Sequence, residues 1–151
     1  MAVQGISHVA VGVSDMDRAL QFYRDIIGLR VTKDHEEKAF GGGDPDAYHR
    51  RAVYLRQNDG PDAFFIVLDQ QLQPEPHGKP PRIMQLGTHH FSFWVDNLVE
   101  IFEHAVEDGF RVIIGPTEAD TDLYGEDAGQ TILTAIVKDQ DGNPVQLDQR
   151  L

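Results

Sequence analysis

The chain contains no cysteine. That absence removes disulfide scaffolds, thiolate zinc sites and cysteine nucleophiles, so any metal has to be held by histidine, carboxylate or amide groups. Basic residues are scarce: 13 Lys and Arg stand against 25 Asp and Glu, a formal charge of −12. Such a surface repels phosphate backbones and anionic bilayers, and no basic patch offsets it, so neither nucleic acid nor membrane is an expected partner. No apolar run approaches the ~18 residues of a membrane span, and Met1 to Ser7 carries no basic leader, which makes the cytoplasm the expected location. What the chain does have suffices for a core. Its 151 residues, 40% hydrophobic and 9% aromatic, bury ~70% of their unfolded surface as one ordinary domain. The 25% charged residues, 14 Gly and 8 Pro exclude collagen-like, disordered and coiled-coil classes.

A repeat organises the sequence. Gly5-Ile6-Ser7-His8-Val9-Ala10-Val11-Gly12-Val13 aligns without gaps on Gly87-Thr88-His89-His90-Phe91-Ser92-Phe93-Trp94-Val95, an offset of 82 from Gly5 to Gly87, with His8 falling on His90. Both segments alternate as half-buried strands do: Val9, Val11 and Val13, or Phe91, Phe93 and Val95, form a greasy face. The opposite faces, Ile6, His8, Ala10 and Gly12, or Thr88, His90, Ser92 and Trp94, read as a cavity lining. After each strand a polar break, Ser14-Asp15 or Asp96-Asn97, caps an amphipathic helix. The first, of about three turns, carries Ala19, Leu20, Tyr23, Ile26 and Ile27 and stops at Gly28; the second carries Leu98, Phe102, Ala105 and Val106 and stops at Gly109. Three strand-like stretches follow each helix, over residues 29–36, 48–57 and 63–69, then 110–117, 130–138 and 143–149. Segments 39–46 and 58–61 are turns or loops, and Asp141-Gly142 signals a hairpin. Each half is βαβββ, and neither is expected to bury its sheet alone. The join, residues 70–86 with Pro74, Pro76, Pro80 and Pro81, reads as a stiff extended linker.

This pattern resembles the vicinal oxygen chelate superfamily of glyoxalases, extradiol dioxygenases and bleomycin-resistance proteins. The resemblance is carried by His8 to Tyr23 with Gly28-Leu29, by His90 to Asp96, and by Asp139-Gln140-Asp141-Gly142-Asn143-Pro144-Val145-Gln146-Leu147. It implies an α+β fold: paired βαβββ modules forming a cupped mixed sheet with helices on the convex face, one domain over 1–151. Module one is about 1–70, the linker 71–86 and module two about 87–151. It also implies a homodimer, a small-molecule substrate or ligand, and a divalent ion (iron, zinc, nickel or manganese) held in the concave face by residues of the first and last strands.

His8 and His90 match the first-strand ligand positions. The last-strand position of the second module, usually Glu, is Gln146; in the first module it is Ile66 or Val67, both apolar. Two imidazoles and one amide leave a +2 ion without a negative ligand, unless Asp69, Glu118, Asp122 or Glu126 reaches in. The expected activity is therefore dioxygenase-like or glyoxalase-like lyase chemistry through His8, His90 and Gln146, with a metal-free, bleomycin-resistance-like binding protein as the alternative. The histidines are then satisfied cavity residues, and Gln146 fixes a strand or a substrate carbonyl.

Tyr124, in a loop over 120–129, is either a lid residue donating a proton or a plain loop tyrosine. Trp94 and Tyr54 either stack on a planar ligand or pack ordinarily. Arg50 and Arg51 have opposite parity, so one of them enters the cavity. His89 has the wrong parity for the cavity and is expected at an edge; His35, His49, His77 and His104 read as surface or loop residues. Gly41-Gly42-Gly43 lacks the strand-to-helix context of a phosphate loop.

Overall fold

The computed structural model describes Val3, residues 5–38 and residues 49–151. The loop expected over 39–46 lies outside the described residues. The chain divides into two compact units, Met1–Gly78 and Lys79–Leu151, so the division falls within the proline-rich join. Each unit is a four-stranded mixed sheet with a helix on one face, as an α+β fold of βαβββ modules requires.

In the first unit the strands are β1 (His8–Gly12), β2 (Arg30–Lys38), β3 (His49–Arg56) and β4 (Phe65–Gln73), ordered β1-β4-β3-β2, with β1 parallel to β4. The alternation read from sequence is the alternation of burial: Val11 and Val13 are buried, whereas His8, Ala10 and Gly12 are exposed. Helix α1 (Met16–Leu20) starts at Asp15, whose carboxylate accepts from Arg18 N at 3.0 Å. In place of three regular turns, the helix widens into a π-helical segment over Gln21–Ile26, where Ile27 N–H reaches the Phe22 carbonyl five residues back at 2.9 Å. Ala19, Leu20, Phe22, Tyr23 and Ile26 spread across more than one α-helical stripe, and all five are buried; the wider spiral accommodates that burial. Gly28 then ends the helix at φ +88°.

The second unit repeats the plan with β5 (Phe91–Trp94), α2 (Leu98–Glu107), β6 (Val112–Asp120), β7 (Thr131–Lys138) and β8 (Pro144–Arg150), ordered β5-β8-β7-β6. Leu98, Ile101 and Ala105 of α2 are buried. The cap residue is Asn97, which makes no side-chain cap bond; Leu98 N–H donates instead to Gln149 Oε1 of β8 at 2.8 Å. Between β7 and β8 the turn is organised by buried Asp139, whose Oδ1 accepts from the backbone N–H of Asp141, Gly142 and Asn143 at 3.0, 2.9 and 2.8 Å. The expected hairpin at Asp141-Gly142 is thus present, with Gly142 at φ +99°.

Strand register resolves the alternative at residues 66 and 67. Ala10 pairs with Val67 and, at the repeat offset of 82, Ser92 pairs with Gln146. Val67 is therefore the internal counterpart of Gln146. By the same register Gly12 pairs with Asp69 and Trp94 with Asp148, so these two carboxylates are counterparts as well.

Candidate functional site

Paired residues of neighbouring strands project to the same face of a sheet. In the second unit this collects His90, Ser92 and Trp94 with Gln146, Asp148 and Arg150 on the face away from α2. At its centre is Asp148, only 2% exposed. Oδ1 accepts from the Tyr124 hydroxyl at 2.7 Å and from Gln146 Nε2 at 2.9 Å; Oδ2 accepts from the Ser92 hydroxyl and, at 3.1 Å, from the same amide. Four acceptor sites of one carboxylate are thereby filled by three neutral donors.

Tyr124 closes a short 3-10 turn, Thr121–Tyr124, at the start of the connection between β6 and β7. The turn is secured by Asp120, whose Oδ1 accepts from Asp122 N and Gly129 N at 3.1 Å each. Burial, then the hydrogen bond to Asp148, hold the Tyr124 phenol above its ordinary pKa. Its proton is committed to Asp148 in the neutral range. The Tyr124 ring lies 5.8 Å from that of Trp94, and the Arg150 guanidinium covers Trp94 at 4.6 Å while bonding Glu126 at 2.9 and 2.5 Å. Trp94 remains 48% exposed. Beside it, Trp94, Val95, Asp96, Gln149 and Arg150 line a cleft of about 280 Å³.

His90 is half-buried, and its Nδ1 is 2.7 Å from Nδ1 of His89, with the rings 4.5 Å apart. One of these nitrogens donates to the other. When His90 is the donor, its Nε2 keeps a lone pair for a ligand. Burial, then His89, pull the His90 pKa below its ordinary value against the opposing pull of Asp148, so the ring is neutral at pH 7. His89, read as an edge residue, is a ring neighbour of His90.

In the first unit the corresponding face holds His8, Phe65, Val67, Asp69, Tyr54 and Arg50. His8 is exposed, stacked on Phe65 at 4.9 Å, with its Nδ1 hydrogen-bonded to Ser7 Oγ at 2.9 Å. Arg50 is the arginine that shares this face. It is 4% exposed and bonds Asp69 at 2.5 Å and Glu37 at 2.6 Å, whereas Arg51 points to the other face and bonds Asp34 at 3.0 and 2.7 Å. Tyr54 packs 5.8 Å from both Phe65 and His35. His35 and His49 sit half-buried in strands and bond Glu37 and Glu36, so they are not loop residues; His104 is exposed on α2 and His77 on the join, as expected.

The candidate metal donors can be tested on this chemistry. Val67 offers no donor. Gln146 turns its nitrogen to Asp148, so its neutral carbonyl oxygen is the available end. Asp69 and Glu126 are engaged by arginines, and Glu118 and Asp122 are exposed. Among the described residues no three His, Asp or Glu side chains gather into a group able to hold an ion. The candidate donors, two imidazoles and one amide, are all neutral and offset none of the charge of a divalent ion, which weakens its binding.

Sequence reasoning passed over Asp148. Its signal was nevertheless present: Leu68-Asp69-Gln70 recurs as Leu147-Asp148-Gln149, and in both copies the aspartate carbonyl accepts the backbone N–H of Val13 or Val95 at 2.9 Å.

No curated protein sequence matches the chain. Among solved structures, a glyoxalase family protein from Bacillus cereus is similar with a TM-score of 0.81 at 16% identity, covering 100% of this chain and 99% of that one. A glyoxalase/dioxygenase from Nostoc punctiforme has a TM-score of 0.64 at 17% identity over 99% and 93% of the two chains. A mutant glyoxalase I from Zea mays has a TM-score of 0.62 at 22% identity over 96% of this chain and 45% of that one. These identities speak for the fold alone. With two βαβββ units, histidines at symmetric first-strand positions and a match to the family's sequence pattern over residues 5–147, the chain belongs to the Glyoxalase/Bleomycin resistance protein/Dioxygenase superfamily.

Proposed function

We propose that the protein is a small-molecule-binding member of this superfamily that works without a resident metal, on the pattern of its bleomycin-resistance branch. The observation that carries this reading is the strand register: the two symmetric last-strand positions hold Val67 and a neutral amide, Gln146, so neither supplies a charged ligand. The same face of the second sheet suits an oxygenated organic ligand. The half-exposed Trp94 ring provides an aromatic surface for a planar group, and neutral His90 and Gln146 provide directional hydrogen bonds.

A second reading is a metal-dependent enzyme, dioxygenase-like or glyoxalase-like lyase, using His8, His90 and Gln146 with an iron, zinc, nickel or manganese ion. It is favoured by the neutral state of His90, since burial preserves the imidazole lone pair a metal needs.

Elemental analysis of protein purified without chelator, with divalent titration of wild type, His8→Ala and His90→Ala, separates the two. The expected result is no stoichiometric ion in any of them. In parallel, fluorescence of Trp94, the single tryptophan of the chain, is expected to change saturably with catechol. A stoichiometric ion lost from both histidine variants overturns the binding reading in favour of the enzyme.

A further inference from the structure

The two symmetric aspartates are neutralised differently. Asp69 is met by the Arg50 guanidinium at 2.5 Å, whereas Asp148 is met only by Ser92, Tyr124 and Gln146, and no arginine, lysine or histidine among the described residues forms an ion pair with it. A cation satisfies a carboxylate and leaves its neighbours unconstrained. Three neutral donors are, in turn, oriented by it.

The orientation of Gln146 follows from donor and acceptor chemistry. Both Asp148 oxygens lie within 2.9 and 3.1 Å of the Gln146 amide, and the Tyr124 oxygen lies at 3.3 Å. A carboxylate only accepts, so the amide nitrogen faces it; the reversed amide would set oxygen against oxygen in a site 2% exposed. The Gln146 carbonyl oxygen is therefore the end turned away from Asp148.

We infer that Asp148 is a positioning residue that locks the Gln146 amide with its oxygen outward, so that the site offers an acceptor and selects ligands bearing a hydroxyl or ammonium donor over carboxylates and phosphates. The selectivity rests on the binding reading above; the locked amide stands on the geometry alone. An acceptor backed by a buried negative charge repels an anion twice, through the carbonyl dipole and through Asp148. Tyr124 and Ser92 share the carboxylate and keep it in place.

Side-chain NMR tests the lock directly. The amide pair of Gln146, identified by its loss in Gln146→Leu, is expected to exchange with solvent at least tenfold more slowly than that of exposed Gln57. Asp148→Asn, which can both donate and accept, is expected to release that protection. The same substitution should erode the preference for catechol over inorganic phosphate, read by Trp94 fluorescence, by about tenfold, a change that loss of stability alone does not produce. Should Asp148→Asn fail to fold, wild-type exchange still decides. A Gln146 amide that exchanges like Gln57, or a folded Asp148→Asn with unchanged preference, overturns the inference. A protected amide in a protein indifferent to catechol supports the lock and overturns the binding reading.

Discussion

Arg50 illustrates how a single side chain sets both stability and its dependence on pH. Its guanidinium is buried and serves two carboxylates on the His8 face. The hydrogen bond from Arg50 is the main cause that holds Glu37 below its ordinary pKa, against the cost of burial; burial in contrast carries Asp69 above its own, against Arg50. A carboxylate with a depressed folded pKa contributes stability that is present above its unfolded value near about 4 and is lost as pH falls through the folded value. Asp69 has the opposite sign: its contribution is full below its unfolded value near about 4 and is lost as pH rises through its raised folded value. Arg50→Met removes the partner of both and strands Asp69 in a half-buried position. The expected loss at neutral pH is about 3 kcal/mol, the low end for breaking a buried pair because Glu37 is partly exposed. Measured as urea midpoints, the gap between variant and wild type should narrow as pH is lowered through the depressed folded value of Glu37, where acid releases it from Arg50 in the wild type. Parity restricted the choice to one of Arg50 and Arg51 without deciding it. Only β4, pairing with both β1 and β3, showed that Arg50 shares the face of His8.

At the scale of the element, the turns are where sequence speaks most directly. Gly28 and Gly142 both adopt the left-handed region that a side chain resists, at φ +88° and +99°. They differ in their surroundings: a Cβ at Gly28 meets nothing within 4 Å, whereas one at Gly142 lies 3.3 Å from Pro80 Cγ and 3.4 Å from Arg111 Nη2. Gly28→Ala is expected to cost about 1–2 kcal/mol from backbone strain alone. Gly142→Ala is expected to cost more, and thermal melts of the pair give the order. Strand existence and both helix starts were legible because alternation and capping are local. The π-helical segment was not, since the pattern of Phe22, Tyr23 and Ile26 is compatible with a regular helix until their simultaneous burial is known. The same holds for Asn97, whose expected cap bond is replaced by one that Leu98 N–H donates to Gln149, 51 positions beyond Leu98.

For the whole molecule, the charge of −12 predicts no measurable retention on immobilised DNA at physiological salt. No helix among the described residues is long and apolar enough to cross a membrane. Two-fold assembly, expected from the family, is testable by sedimentation: a mass of twice the chain supports a homodimer, and a monomer at micromolar concentration overturns it.

Sequence by itself determined the duplicated βαβββ plan and the faces of the first strands, because alternation, caps and repeats are written within short spans of chain; the departure at Gln146 was legible only against the family it resembles. Tertiary structure alone decided that Val67 is the counterpart of Gln146, that Arg50 shares the His8 face and that Asp148 orients the second site. Each of these depends on which residues of distant strands stand opposite one another, and that register is set by hydrogen-bond ladders formed between segments remote in sequence.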